Sequence, residues 1–454
     1  MCEQNHVVRA SAPPPGTLGK ADLYAISLGY VIGAGIVSLI GPAIALTGMS
    51  AWLAYLIAIL FGFLANLPAI FVSSSLRMAG GPYSMLAGLG GKRLAGMYSL
   101  TFLTTILNMG GFGIAIGMYA HALWPAVPAK LAGIVAITLF YVINLFGVDI
   151  MAKVQKVMTW VMLAAFGLFI ILGLFKLQNP VFDVADPEFM PNGSSGFISA
   201  IFLYVVSTNG YLMSMSYGKV AKNATRDIPW AMLMCVPTFI LIYCGVTIVG
   251  AGALPIDTMK GQTLTVVAKA IFNPVMFVIF MVGGPFMALT STMNSAYCNN
   301  CFPVAQSARD GWLPEFVAKQ NKRGAYYVIL TIIWAIGMIP LVSNFDITVI
   351  TRYISMFFAA LSFLYAAAYI QLPKKYPEAW KRSRFHVPDG VYYAIVVIST
   401  IAWASIFVYS FLSLPRVTAI IGVAVFLVLL IYGIFRSKDP KVTVEAQVWE
   451  KEEA

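Results

Sequence analysis

The groups in this chain best suited to chemistry are main-chain atoms that glycine frees inside apolar stretches. The run Gly29, Tyr30, Val31, Ile32, Gly33, Ala34, Gly35, Ile36 places glycines where a helix should be continuous, and Val206, Ser207, Thr208, Asn209, Gly210 interrupts a second apolar stretch. Glycine is a poor helix former. Where a helix stops and restarts, the last carbonyls of one half and the first amides of the next lack partners and carry opposite partial charges. Two such ends suit a zwitterion. The amides of Ala34, Gly35 and Ile36 would take its carboxylate, and the carbonyls near Ile32, Val206 and Ser207 its ammonium. The side chains of Ser207, Thr208 and Asn209 add hydrogen bonds. A second set of neutral oxygens, on Ala288, Ser291 and Thr292, falls at the i, i+3, i+4 spacing that shares one helix face.

These residues must be held by elements that suit a nonaqueous solvent. Of 454 residues, 60% are hydrophobic and 10% charged, whereas a soluble domain carries about 25% charge. Soluble enzyme, disordered chain and disulfide scaffold are excluded, and lipid is the expected solvent. Cutting charge-free runs at the roughly 20 residues that cross a bilayer core predicts twelve spans: 22–46, 50–74, 96–120, 130–148, 153–176, 195–217, 229–252, 273–301, 325–344, 348–371, 390–413 and 417–435. With both ends of the chain inside, only Lys130, Lys176, Lys260, Lys269, Arg352 and Arg416 of the 29 Lys and Arg face outward, as the positive-inside rule requires. The charge of +11 therefore reads as topology in a cell membrane, plasma or bacterial inner, with no basic stripe left for nucleic acid. Residues 1–20 and 436–454 read as cytoplasmic tails, the first disordered and the second with an acidic end, Glu445 to Ala454.

Both interruptions lie about 16 to 20 Å into their spans, near the midplane. Each falls in the first helix of a five-helix block, 21–176 and 195–371, and the two blocks run in opposite directions. Residues 390–435 add two helices. This is the pattern of an inverted-repeat carrier with its site between broken helices. Gly111, Gly113 and Gly117 have no preceding strand and read as helix packing. Cys298 and Cys301 have metal-like spacing, but with His6, His121 and His386 as the chain's histidines no four-ligand zinc set forms, and no cofactor is expected. Catalysis would need acids, bases or metal ligands at one depth, and no span provides them. No ionisable residue falls in mid-span either, so a charged substrate side chain would lack a counter-ion. Lys153 and Lys156 sit near the inner end of the fifth span.

Three motifs carry a family resemblance: Gly29 to Ile36 followed by Gly41 and Pro42; Ala79, Gly80, Gly81, Pro82, Tyr83; and Ala308, Arg309, Asp310, Gly311, Trp312, Leu313, Pro314. The sequence resembles the amino acid-polyamine-organocation superfamily, most nearly its amino-acid permeases and L-type exchangers. That resemblance implies an all-α integral membrane protein of the leucine-transporter-like fold, working by alternating access on amino acids. It also implies that Gly29 and Ile32 carbonyls would join Ala288, Ser291 and Thr292 in a sodium site. Many relatives carry a lysine in span five where alignment places Met162, an aromatic gate where this chain has Val206, and an acid near Lys219. The expectation is sodium-independent exchange of neutral amino acids, with sodium-coupled symport, a pore or a transporter-fold receptor as alternatives. The sequence names no partner subunit.

Overall fold

A computed structural model describes residues 15–343, 347–445 and 447–450. The first fourteen residues of the expected amino-terminal tail, Asp346, and Ala446 with residues 451–454 of the carboxy-terminal tail lie outside the described residues.

The fold is all-α. Among the described residues, nine helical runs are long and apolar enough to cross a membrane: Lys20–Ser38, Ile40–Ser75, Pro82–Leu123, Val148–Leu174, Ala224–Gly252, Pro274–Arg309, Arg352–Lys375, Asp389–Ser413 and Arg416–Arg436. Ala129–Leu145, Gly193–Val205 and Tyr327–Val342 are shorter apolar helices. Their outer faces leave Leu139, Val157, Ile401, Val417 and Val428 exposed, an arrangement lipid accepts and water penalises.

Met287–Arg309 is the axis of the bundle, with Ala288 through Ala308 buried. It is also polar, carrying Ser291, Thr292, Asn294, Asn299 and Gln306 in the core. Lys20–Val31 packs against it and against Val148–Leu174 and Ala224–Phe239.

Three expected spans are interrupted. The first is divided into Lys20–Val31, Ala34–Ser38 and Ile40–Thr47. The sixth stops as an α-helix at Val205 and continues as 3-10 segments Val206–Thr208 and Tyr211–Lys219. A further 3-10 stretch, Phe102–Leu107, interrupts the third.

The carboxy-terminal tail is packed where it is described. Its described part crosses the end of the bundle and pairs Val448–Trp449 antiparallel with Arg77–Met78. Gln306 donates to Glu445 O (3.0 Å), Lys92 to Asp439 O (2.8 Å) and Arg436 to Gly311 O (3.0 Å), while Val442 and Trp449 are buried. The pairing partner lies more than 350 residues upstream, so no local pattern announces it. The amino-terminal side meets the same end, where Thr17 and Leu18 amides donate to Val220 O.

Candidate functional site at two interrupted helices

The first interruption begins at Ile32, whose amide still donates to Leu28 O (2.8 Å) while its backbone turns extended. Gly33 follows at φ −138°, ψ −136°, and helix restarts at Ala34. In the second, Asn209 is extended and Gly210 takes φ +122°, a region that an L side chain disfavours. The two interruptions touch. A Cβ on Gly35 would stand 2.1 Å from Ser207 Cβ, and one on Gly210 would stand 2.7 Å from the Tyr30 ring. Glycine at these places is what lets the half-helices meet.

Ser207, Asn209, Gly210, Gly35 and Tyr30 are partly exposed, whereas Ile32, Gly33, Ile36 and Thr208 are buried. A solute can therefore reach Ser207, Asn209, Gly210 and Gly35, whereas Thr208 is covered. That hydroxyl instead donates to Val205 O (3.0 Å) and lies 3.3 Å from Ala58 O, fastening the second interruption to helix Ala51–Ser75. Asn66 donates to Asn209 Oδ1 (3.1 Å), and Asn209 donates to Val205 O (2.8 Å).

Three tyrosines that sequence reasoning missed brace this junction. The Tyr243 hydroxyl lies 3.1 Å from both Val31 O and Ser207 O, so one donor serves a carbonyl from each interruption. Tyr55 donates to Ser207 Oγ (2.8 Å), which itself donates to Tyr204 O (2.7 Å). The Tyr55 ring stacks on Tyr204 at 3.7 Å and Tyr243 at 4.6 Å. For Tyr55 and Tyr243 the available signal was a phenol inside an apolar span, since a buried hydroxyl usually finds a partner.

The five oxygens expected for sodium also converge. Ser291 Oγ lies 3.1 Å from Gly29 O and 3.0 Å from Ala288 O. Thr292 Oγ1 lies 3.0 Å from Gly29 O, 3.4 Å from Ile32 O and 3.1 Å from Ala288 O. All five are neutral, and each hydroxyl can donate to a carbonyl, so the cluster satisfies itself through hydrogen bonds. A small monovalent cation could replace those bonds only by turning the hydroxyl protons away.

Beside this cluster the fifth span presents an amide. A Cβ on Gly29 would fall 1.9 Å from Gln155 Nε2, so the side chain reaching the first helix here is Gln155, seven residues before the buried Met162. Asn294 donates to Gln155 Oε1 (2.9 Å), Asn144 donates to Asn294 Oδ1 (3.2 Å), and Thr159 donates to Ala25 O (2.9 Å). Lys156 pairs with Asp22 at 2.6 Å, at the start of the first helix; Lys153 takes part in no described ion pair.

The end of the bundle crossed by the carboxy-terminal segment is sealed. Buried Arg77 donates to the carbonyls of Gly218 (2.8 Å) and Ala221 (3.0 Å). Tyr83 donates to Asp310 (2.6 Å), Gln306 donates to the same carboxylate (3.0 Å), and Trp312 donates to Tyr83 (2.8 Å). Burial pushes the Asp310 carboxyl up to about 7, against the lowering effect of those donors. The second and third sequence motifs thus meet in one network.

Comparison with known proteins adds the family. A family model described as "Amino acid permease" matches residues 18–441. An uncharacterized protein of Methanocaldococcus jannaschii is 24% identical over 65% of this chain and 69% of its own length. The branched-chain amino acid permease BcaP of Bacillus subtilis is 21% identical over 86% of this chain and 89% of its own. The serine/threonine exchanger SteT of the same species is 24% identical over 46% of this chain and 49% of its own.

Proposed function

Because the chain belongs to the amino acid permease family, we propose that it moves neutral amino acids across a cell membrane by alternating access, as a sodium-independent exchanger. The observation that carries this reading is the meeting of two interrupted helices at Gly35 and Ser207. A carboxylate would lie on the amides of Ala34, Gly35 and Ile36, at the positive end of the restarted half-helix. An ammonium would share the Val31, Ile32 and Ser207 carbonyls with the Tyr243 hydroxyl, and Asn209 would line the same space. Twelve spans in two inverted five-helix repeats plus two helices, with both ends of the chain inside, complete the proposal. The sealed Tyr83–Asp310 end is then the cytoplasmic one.

Neutral specificity follows from the surroundings. Among the described residues around the two interruptions the polar groups are hydroxyls, amides and carbonyls, and a charged side chain brought there would meet no counter-ion among them. Relatives named for branched-chain amino acids and for serine/threonine exchange support an uncharged substrate and an exchange mode. The convergent oxygens of Gly29, Ile32, Ala288, Ser291 and Thr292 favour sodium-coupled symport as the second reading. The test is a proteoliposome screen of the labelled amino acids with and without internal amino acid. Neutral substrates should show trans-stimulated uptake, with arginine, lysine and glutamate competing poorly. Flux without trans-stimulation would instead indicate a pore, and binding without flux a receptor.

A further inference from the structure

A cavity of about 90 Å³ opens at the sealed end, between the beginning of Val148–Leu174, the end of the Tyr211–Lys219 segment, helix Met287–Arg309 and the loop 320–326. At roughly 10–15 Å³ per water on this scale, it holds several waters or one small solute. Its walls are mostly apolar, with Phe302, Tyr326 and Leu330, and Lys219 is one of the residues that line it. Among the described residues no carboxylate pairs with that ammonium. The charged neighbour acting on it is a second cation, Arg309, which lies over the Tyr326 ring at 5.7 Å. A half-buried ammonium without a counter-ion is a site for an anion.

The cavity is also joined to the interrupted helices. Asn144 lines it and begins the buried relay of amides through Asn294 to Gln155, which ends beside Gly29. Cys298, another lining residue, lies seven residues along the same helix from Ser291, about 10 Å at 1.5 Å per residue. Buried amides are costly unless paired, and here each is paired with the next, so polar contacts run from the cavity wall to the first interruption.

We propose that the Lys219 cavity is a second station on the transport route, which holds the α-carboxylate of a neutral amino acid between the interrupted helices and the cytoplasm. This rests on the transporter reading above. Lys219 supplies a positive charge for the carboxylate, the Phe302, Tyr326 and Leu330 wall receives the uncharged side chain, and Arg309 keeps cations out. Burial together with Arg309 pushes Lys219 down to about 8, which leaves it mostly protonated at neutral pH, as the station requires.

The experiment is exchange in proteoliposomes of one orientation, with L-leucine or L-serine as substrate and the KM measured separately for the internal and external amino acid. Lys219→Gln should raise the internal KM about tenfold, the worth of one hydrogen bond to a charged group. The external KM should change less than about twofold, and Lys219→Arg should restore the internal value. An unchanged internal KM, or an equal rise on both sides, overturns the second station and leaves the transporter reading standing. A wild-type protein that exchanges neither amino acid overturns the transporter reading, and the station with it.

Discussion

At the scale of single residues, the site depends on atoms that are absent. Gly35 has room for hydrogen alone against Ser207, so Gly35→Leu should abolish amino-acid binding. Binding of labelled substrate to purified protein checks this, with a monodisperse elution profile showing that the variant still folds; wild-type-like uptake would rule out the site. The sequence announced this glycine, because a residue so unfavourable in helix is conspicuous in an apolar run. It was silent about Tyr243, whose hydroxyl matters only once Val31 and Ser207 are neighbours. Tyr243→Phe leaves the ring stacking intact and removes the shared donor. It should lower stability by about 1 kcal/mol, in keeping with a buried hydrogen bond, and weaken substrate binding by loosening the junction; thermal unfolding and binding measured on the same preparation would check both. Composition alone could not reveal either that the Thr208 hydroxyl is engaged with Val205 and Ala58.

At the scale of elements, the legible parts are those with a local cause. Apolar length gave away the long apolar helices. The packing of the segment after Arg436 was not legible, because it comes from pairing with Arg77–Met78, a contact that no window of sequence contains. Cutting the chain after Ser437 should therefore lower the unfolding temperature, and unchanged unfolding would mean the paired segment holds nothing in place. Asp310 gives this end a pH dependence. Its folded pKa, about 7, is raised above the ordinary carboxyl value by burial, so the packed network binds the proton more tightly than the exposed chain does. The stabilisation is complete below the exposed pKa near 4 and is lost as pH rises through about 7. Unfolding temperatures of wild type and Asp310→Asn, compared from pH 5 to pH 8, should diverge in that window, with wild type losing more stability than the variant as pH rises. Parallel curves would show that Asp310 does not titrate there.

At the scale of the whole molecule, the open question is what drives transport. The family emerges from motifs spread over most of the chain, and the match over residues 18–441 has the same breadth. Coupling was less legible, because the same five oxygens can be a cation site or a self-satisfied knot. Geometry bears on this. Ser291 and Thr292 each have carbonyl acceptors within 3.0–3.4 Å, so the helices around Gly29 are joined without an ion, and the neighbouring amide of Gln155 adds no negative charge to attract one. Sodium would have to displace these hydrogen bonds and be held by neutral oxygens alone. Counterflow should accordingly persist when sodium is replaced by choline or potassium at fixed pH. Ser291→Ala and Thr292→Ala should each cost about 1–3 kcal/mol of stability, since buried carbonyls lose donors, and neither should create a sodium requirement. If transport instead vanishes without sodium and either substitution raises the sodium concentration needed, the cluster is a coupling site and exchange without an ion is the wrong reading.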